Sequence, residues 1–493
     1  MEQKYIVAFE IGSSCIKGAI ATTDAGSTAG RVNIIAVETE PLVDKVRYGC
    51  VENPGDVATC VAAICHRLQA AQGVAPRVIK GAYVGISGRS LSSAPCEVTR
   101  DFHSEVEISR RIVDELMQKA ASNTVADKEV VAVEPGTFTL DTQTSLDPVG
   151  MFGHVLTANV SLVACKPKIK NNIKRVFNDR CSLNIMGYIV TPLAMGAQLL
   201  TQEERRLGVM LVDFGAETTT VAIYRDGSLV YLATIPMGSR NITRDITSLN
   251  CLEEKAEEIK KAVGNAMPPA SNGNPLVTDG LDNSDINNIV AARADEIISN
   301  IFEQITYAGL KPEQIPAGIV VTGGGSRLRG FNDLLAKQTH IKVRPATAGP
   351  GVNIAGTNFN ATDALDVISI ISDAAMLDAV DCTMMPPNMV TEPATAVDSP
   401  SQPVADRGEH HDNISRIGSL EDDTDDDILT DDDDPADSSP LVERAKAADK
   451  KKDKKENKKE SAPVEKNNRH SRGFWDSIST TLGNMLKDDS ELD

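Results

Sequence analysis

Apolar residues follow two spacings along this chain, and the points where one gives way to the other are the informative ones. Over residues 4–20 an apolar run ends in Glu10, then come Gly12, Ser13 and Ser14, then a second β-rich run. Residues 209–224 repeat that order, with Asp213, Gly215, Ala216, Glu217, Thr218 and Thr219 at the turn. Both read as strand, tight turn, strand. A third strand is expected over 32–37 and a helix over 57–72 that stops at Gly73. Residues 84–88 read as a short strand. Residues 109–121 read as an amphipathic helix with Ile112, Leu116 and Ala120 on one face. Strands over 130–133 and 155–163 complete what looks like a small α+β unit set into a larger fold. Beyond it the pattern predicts a helix over 168–177 and a strand over 185–190. A hairpin turn at 225–228 feeds a strand over 229–235, and helices follow over 252–263 and 286–306. The segment between those helices has the composition of an exposed insertion. Residues 318–322 read as a buried strand running into Gly323, Gly324 and Gly325, with a helix starting at Ser326. Further helices are expected over 331–339 and 368–377.

The repeated turn carries a chemical meaning. Glycine lets the backbone turn tightly and approach an anion closely. The amides and hydroxyls of Ser13, Ser14, Thr218 and Thr219 can cradle phosphate oxygens. The carboxylates of Glu10 and Asp213 are placed to hold a hydrated magnesium ion through water. The side-chain-free triple glycine, with Ser326 and Arg327 after it, suits a flat adenine and ribose, and a helix start there favours phosphate. Any one glycine cluster alone reads equally well as an ordinary turn. Three in this order predict a duplicated fold closing on one adenine nucleotide with Mg2+.

Composition bounds the reading. A length of 493 residues suggests two or more domains plus tails, and 41% apolar residues suffice for a globular body. A net charge of −20 argues against a general nucleic-acid binder. No apolar stretch has the length needed to span a bilayer, and the start of the chain does not read as a secretory signal. The nine cysteines are scattered without metal-ligand spacing, which fits reduced thiols in a cytoplasmic protein.

Past about residue 386 Pro, Ser, Thr and Asp dominate, with an acidic block over 422–434 and a lysine-rich block over 444–459. Residues 387–470 are therefore expected to be a disordered linker, with membrane attraction of its basic block as a secondary role. Residues 471–487 contain the single tryptophan. At 100° per residue Phe474, Trp475, Ile478, Leu482, Met485 and Leu486 share one sector of a helix. Such a helix suits a membrane interface, the alternatives being docking on the body or in a protein groove.

Taken together these segments resemble the FtsA family of cell division proteins. Residues 84–89, 148–153, 191–195, 203–208 and 256–261 add family-like stretches to the three glycine elements. The resemblance implies an α/β, duplicated actin-like (ribonuclease H-like) ATPase core. Its expected layout is a first half over 1–83, an inserted α+β subdomain of the SHS2 type over 84–165, and over 166–386 a second half together with a return segment; the core is expected to bind ATP with Mg2+. It further implies a ribose-side helix bearing Glu257 and Lys260, self-association into actin-like filaments, and docking of the FtsZ C-terminal tail and of other membrane proteins of the division machinery. The tail helix would hold the assembly on the cytoplasmic face of the inner membrane at the division site, where septum formation begins. Arg293 and the helices around it are a candidate docking face. Lys17 either faces phosphate or sits in a salt bridge. Two departures from the family pattern, Glu10 for aspartate and Ala216-Glu217 for glycines, leave ATP hydrolysis expected as weak or absent. Glu217 could position water, repel the terminal phosphate or point away. The competing readings are a small-molecule kinase, a chaperone or a pilus-assembly ATPase on the same fold.

Overall fold

The computed structural model describes residues 3–24, 31–42, 44–267, 277–355, 359–377 and 379–386. All of them belong to the compact unit Met1–Val397. The charged linker and the tail residues Phe474, Trp475, Ile478, Leu482, Met485 and Leu486 lie outside the described residues.

Two sheets carry the body. The first has six strands in the order Asn184–Val190, Gly81–Ile86, Gln3–Ile11, Cys15–Asp24, Val32–Pro41, Val352–Ile354. Gln3–Ile11 pairs antiparallel with Cys15–Asp24 and parallel with Gly81–Ile86. In the second sheet Val209–Phe214 pairs antiparallel with Thr219–Arg225 and parallel with Gly318–Thr322. The same local topology is thus built twice. Both central strands are near-continuous apolar runs because both of their faces are covered. Ile6 to Ile11 are all buried, with helix Pro54–Ala70 packed on the neighbouring strands and helix Leu365–Met376 packed on Gln3–Ile11. Asn53 starts helix Pro54–Ala70 by accepting from the amides of Gly55 and Asp56. Helix Asn283–Tyr307 supplies the core of the second half, burying Ile286, Val290, Ile297 and Ile301 against Val212 and Val221.

The α+β unit consists of the antiparallel strands Ser92–Glu107, Glu129–Leu140 and Phe152–Cys165 with helix Arg110–Ala121 across them. Leu116 and Ala120 pack with Phe138, Leu156 and Ala158 in a separate core. Its sheet runs on from the second sheet through one pairing, Ala233 with Ser92. The Leu232 amide donating to Ser93 Oγ at 2.8 Å and Ser161 Oγ donating to the Leu229 carbonyl at 3.0 Å reinforce the join.

Several expectations need correction. The strand ending at Ile86 is an inner strand of the first sheet, so a boundary at residue 84 cuts through it and the insert begins later. Strand Asn184–Val190, assigned from sequence to the second half, is the edge of the first sheet, parallel to Gly81–Ile86. Helix Leu365–Met376 and strand Thr383–Met384, which pairs with Val78–Ile79, form the return segment and pack on the first half. The helix expected to start at Ser326 is only a 3-10 turn, Gly324–Arg327, and the α-helix begins at Phe331. Gly330, in the left-handed region at φ +71°, separates the two.

Candidate functional site

The two hairpin turns close with the same hydrogen bond. The Gly12 amide donates to the Cys15 carbonyl at 3.0 Å, and the Gly215 amide donates to the Thr218 carbonyl at 2.9 Å. Both turns open onto a single cavity of 810 Å³. Glu10, Gly12, Ser13, Ser14 and Lys17 line it from one side, and Asp213, Gly215 and Thr218 from the other. Gly323, Gly324, Gly325 and Arg327 also line it, as do Glu257 and Lys260. Gly323 brings the third element close to the second hairpin. Its φ is +87°, and a Cβ there would stand 2.4 Å from the Phe214 carbonyl oxygen and 2.5 Å from Asp213 Oδ1. Only a residue without a side chain fits that contact.

Three sequence candidates fall outside the cavity lining. Glu217 is 2% exposed and turns away, accepting from the Tyr48 amide at 2.7 Å and from Arg240 Nη1 at 2.9 Å. Thr219 lies on the opposite face of its strand, where its hydroxyl donates to the Met237 carbonyl at 2.7 Å, while Thr220 lines the cavity instead. Strand alternation decides which threonine faces which side. Ser326 uses its hydroxyl on the Gly323 carbonyl at 2.7 Å, fastening the 3-10 turn.

The floor of the cavity is a charge cluster. Glu10 and Lys17 are directly opposite in the hairpin register, and Lys17 Nζ pairs with Asp366. Burial, then Asp366 and Asp213, push the Glu10 carboxyl up to about 8 against the pull of Lys17. Burial and Asp366 push Asp213 up to about 6, again opposed by Lys17. Burial alone would lower the Lys17 pKa, but Asp366 and Glu10 outweigh it and the net shift is upward. Lys17 is therefore a salt-bridged lysine in the cavity wall. Among the described residues no group of three or more His, Cys, Asp or Glu side chains could hold a metal ion directly.

At the other end of the cavity Glu257 pairs with Lys260 at 2.6 Å and accepts from Thr243 Oγ1 at 2.5 Å. Lys260 Nζ also donates to the Ser239 carbonyl at 3.0 Å. Burial disfavours the charge of both members. For Glu257 it is outweighed by Lys260, so its pKa falls, and for Lys260 burial prevails over Glu257, so its pKa falls too.

Asp366 and Arg240 escaped the sequence reading. Asp366 is the one charged residue in the first turn of a helix whose other positions are largely apolar and buried, and that isolation was the available signal. Arg240 follows a strand end with nothing in its neighbourhood to mark it. Arg293, the docking-face candidate, holds Asp245 with Nε at 2.5 Å and Nη2 at 3.1 Å and also pairs with Glu296.

The family model described as cell division protein FtsA matches residues 210–363, and the one described as the SHS2 domain inserted in FtsA matches 88–164. The second span begins after strand Gly81–Ile86, as the topology requires. The chain is 31% identical to cell division protein FtsA of Porphyromonas gingivalis, over 68% of this chain and 72% of that protein. It is 30% identical to the protein of the same name from Pseudomonas aeruginosa, over 69% and 82%. Among solved structures a chain of the PilM-PilN type IV pilus biogenesis complex matches with a TM-score of 0.55 at 15% identity, covering 76% of this chain and 98% of that one. The fold is the actin-like ATPase fold with an SHS2 insertion.

Proposed function

We propose, for a chain that belongs to the FtsA family of cell division proteins, that it binds ATP in the cleft between its two hairpins and tethers the FtsZ ring to the membrane. The observation that carries the nucleotide reading is the duplicated turn: two glycine-closed hairpins and a third glycine element meet at one cavity. Gly12, Ser13, Ser14, Gly215 and Thr218 would hold the phosphates through amides and hydroxyls. Gly323, Gly324, Gly325 and Arg327 would hold the adenosine, with Glu257 and Lys260 beside the ribose. Glu10 and Asp213 present two carboxylates whose charge burial disfavours. A hydrated Mg2+ would relieve that and neutralise the phosphates; with no group of three ligating side chains among the described residues, it would be held through its waters and the nucleotide. Residues 471–487 would place the assembly at the membrane surface, on the cytoplasmic side of the division septum. The FtsZ C-terminal tail, other division proteins and further copies of the chain in a filament are the partners this reading implies.

The test uses the full chain and a truncation lacking residues 471–493. Both are expected to bind ATP with magnesium, and only the full chain to sediment with vesicles containing anionic lipid. Lipid binding by the truncated chain, or no nucleotide binding by either, refutes the corresponding half of the proposal.

A further inference from the structure

Resting on that nucleotide reading and deepening it, we infer that Glu217 and Arg240 form a clasp across the phosphate end of the cleft that sets how fast nucleotide enters and leaves. Glu217 stands at the tip of the second hairpin, 2% exposed. A carboxylate buried that deeply persists only where it is paired. Its Oε2 accepts from the Tyr48 amide at 2.7 Å and its Oε1 from Arg240 Nη1 at 2.9 Å, with Arg244 Nη2 at 3.5 Å.

Tyr48 ties this carboxylate to the opposite hairpin. Its own φ is +49°, and the next amide, of Gly49, donates to Ser13 Oγ at 3.1 Å. Gly49 has no room for a side chain, since a Cβ there would stand 2.5 Å from the Gly88 Cα. Arg240 makes the same crossing directly, its Nη2 donating to the Ser13 carbonyl at 3.3 Å. Second hairpin, Glu217, then Tyr48 and Arg240, then Ser13 thus form one connected chain of hydrogen bonds across the cleft. Ser13 and Arg240 line the cavity, with Glu217 behind them.

Every bond in this chain joins two protein groups, and the scheme takes the clasp to be kept when nucleotide is bound. Passage of a nucleotide past the two turns requires it to part. Loosening it accelerates entry and exit together, because free and loaded states lose the same restraint. Loss of an ordinary binding contact accelerates exit alone. Glu217 and Arg240 are positioning residues under this scheme.

The experiment is stopped-flow binding of a fluorescent ATP analogue with magnesium to the full chain. Glu217→Ala and Arg240→Ala are each expected to raise the association and dissociation rate constants together. The rise should be about ten- to a hundredfold, the range for losing a charge-assisted hydrogen bond. The equilibrium constant should move far less than either rate. The double variant should be no faster than the faster single one, since both break one device. Glu217→Gln and Arg240→Lys, which keep the shape of the clasp, should fall between and serve as the test if the alanine variants fail to fold. A faster exit with unchanged entry, or no change in either rate, overturns the clasp. An unaltered chain that does not bind the analogue overturns the nucleotide reading, and the clasp with it.

Discussion

Replacing Lys17 by methionine takes a cation out from among Glu10, Asp213 and Asp366. Lys17 and Asp366 are each about one-fifth exposed, so the pair is shielded from solvent on most sides. Removing one partner of such a pair costs about 3–5 kcal/mol, because the remaining charge is left uncompensated. Unfolding entropy of about 2 cal/mol/K per residue, over the unit Met1–Val397, converts that into a drop of roughly 4–6 °C in the melting midpoint. The deficit must also depend on pH. Lys17 holds the Glu10 and Asp213 pKa values down, and without it both carboxyls take up protons more readily. Circular dichroism melts of the nucleotide-free, metal-free protein at pH 7.5 and pH 5.5 measure this. The deficit of Lys17→Met should be largest at pH 7.5 and shrink at pH 5.5 as the carboxylates are neutralised. A second substitution, Asp366→Asn, should restore much of the loss. A deficit equal at both pH values would mean that Lys17 acts through packing of its stem, and the electrostatic account would be wrong.

The unaltered protein should show its own pH dependence under the same conditions. Glu10 and Asp213 titrate higher folded than unfolded, so their contribution is complete below about pH 4 and is lost as pH rises through about 6 and about 8. Melts from pH 6 to pH 8.5 should therefore show falling stability, which saturating Mg2+ and ATP reverse by binding the folded form. At the third glycine element, Gly323→Ala forces a Cβ onto the Phe214 carbonyl at 2.4 Å and places alanine at φ 87°, ψ 162°, a backbone region essentially confined to glycine and worth about 1–3 kcal/mol. Equilibrium titration with the fluorescent analogue should lose binding there. At Gly324 the nearest atom to a new Cβ is Arg327 Nη2 at 3.9 Å, so Gly324→Ala should melt like the unaltered chain.

Both hairpins were legible because their signal is local: an apolar run, a carboxylate, a glycine and hydroxyls within a few residues. The cavity that joins them was legible only as an inference from repetition. What escaped depended on distant chain. Lys17 looked able to face a phosphate until Asp366, far along the sequence, supplied its partner. Glu217 looked like a phosphate neighbour because nothing local revealed Arg240 and the Tyr48 amide. Thr219 and Thr220 are the same residue in sequence terms, and only the register of Thr219–Arg225 against Val209–Phe214 separates their faces. Strand Ser92–Glu107 was missed altogether. Much of it is exposed, so polar residues dominate and the alternation that marks a half-buried strand is weak.

The first half is closed by the last of the described residues. The Cys382 amide donates to the Tyr5 carbonyl at 2.8 Å, Thr383 pairs with Ile79, and helix Leu365–Met376 covers the opening strand. A ribosome therefore releases the N-terminal half-domain long before the piece that seals it, leaving an apolar strand face waiting through most of synthesis. Chains cut short of that closing segment should be aggregation-prone and never mature, so a damaged transcript yields no partly working product.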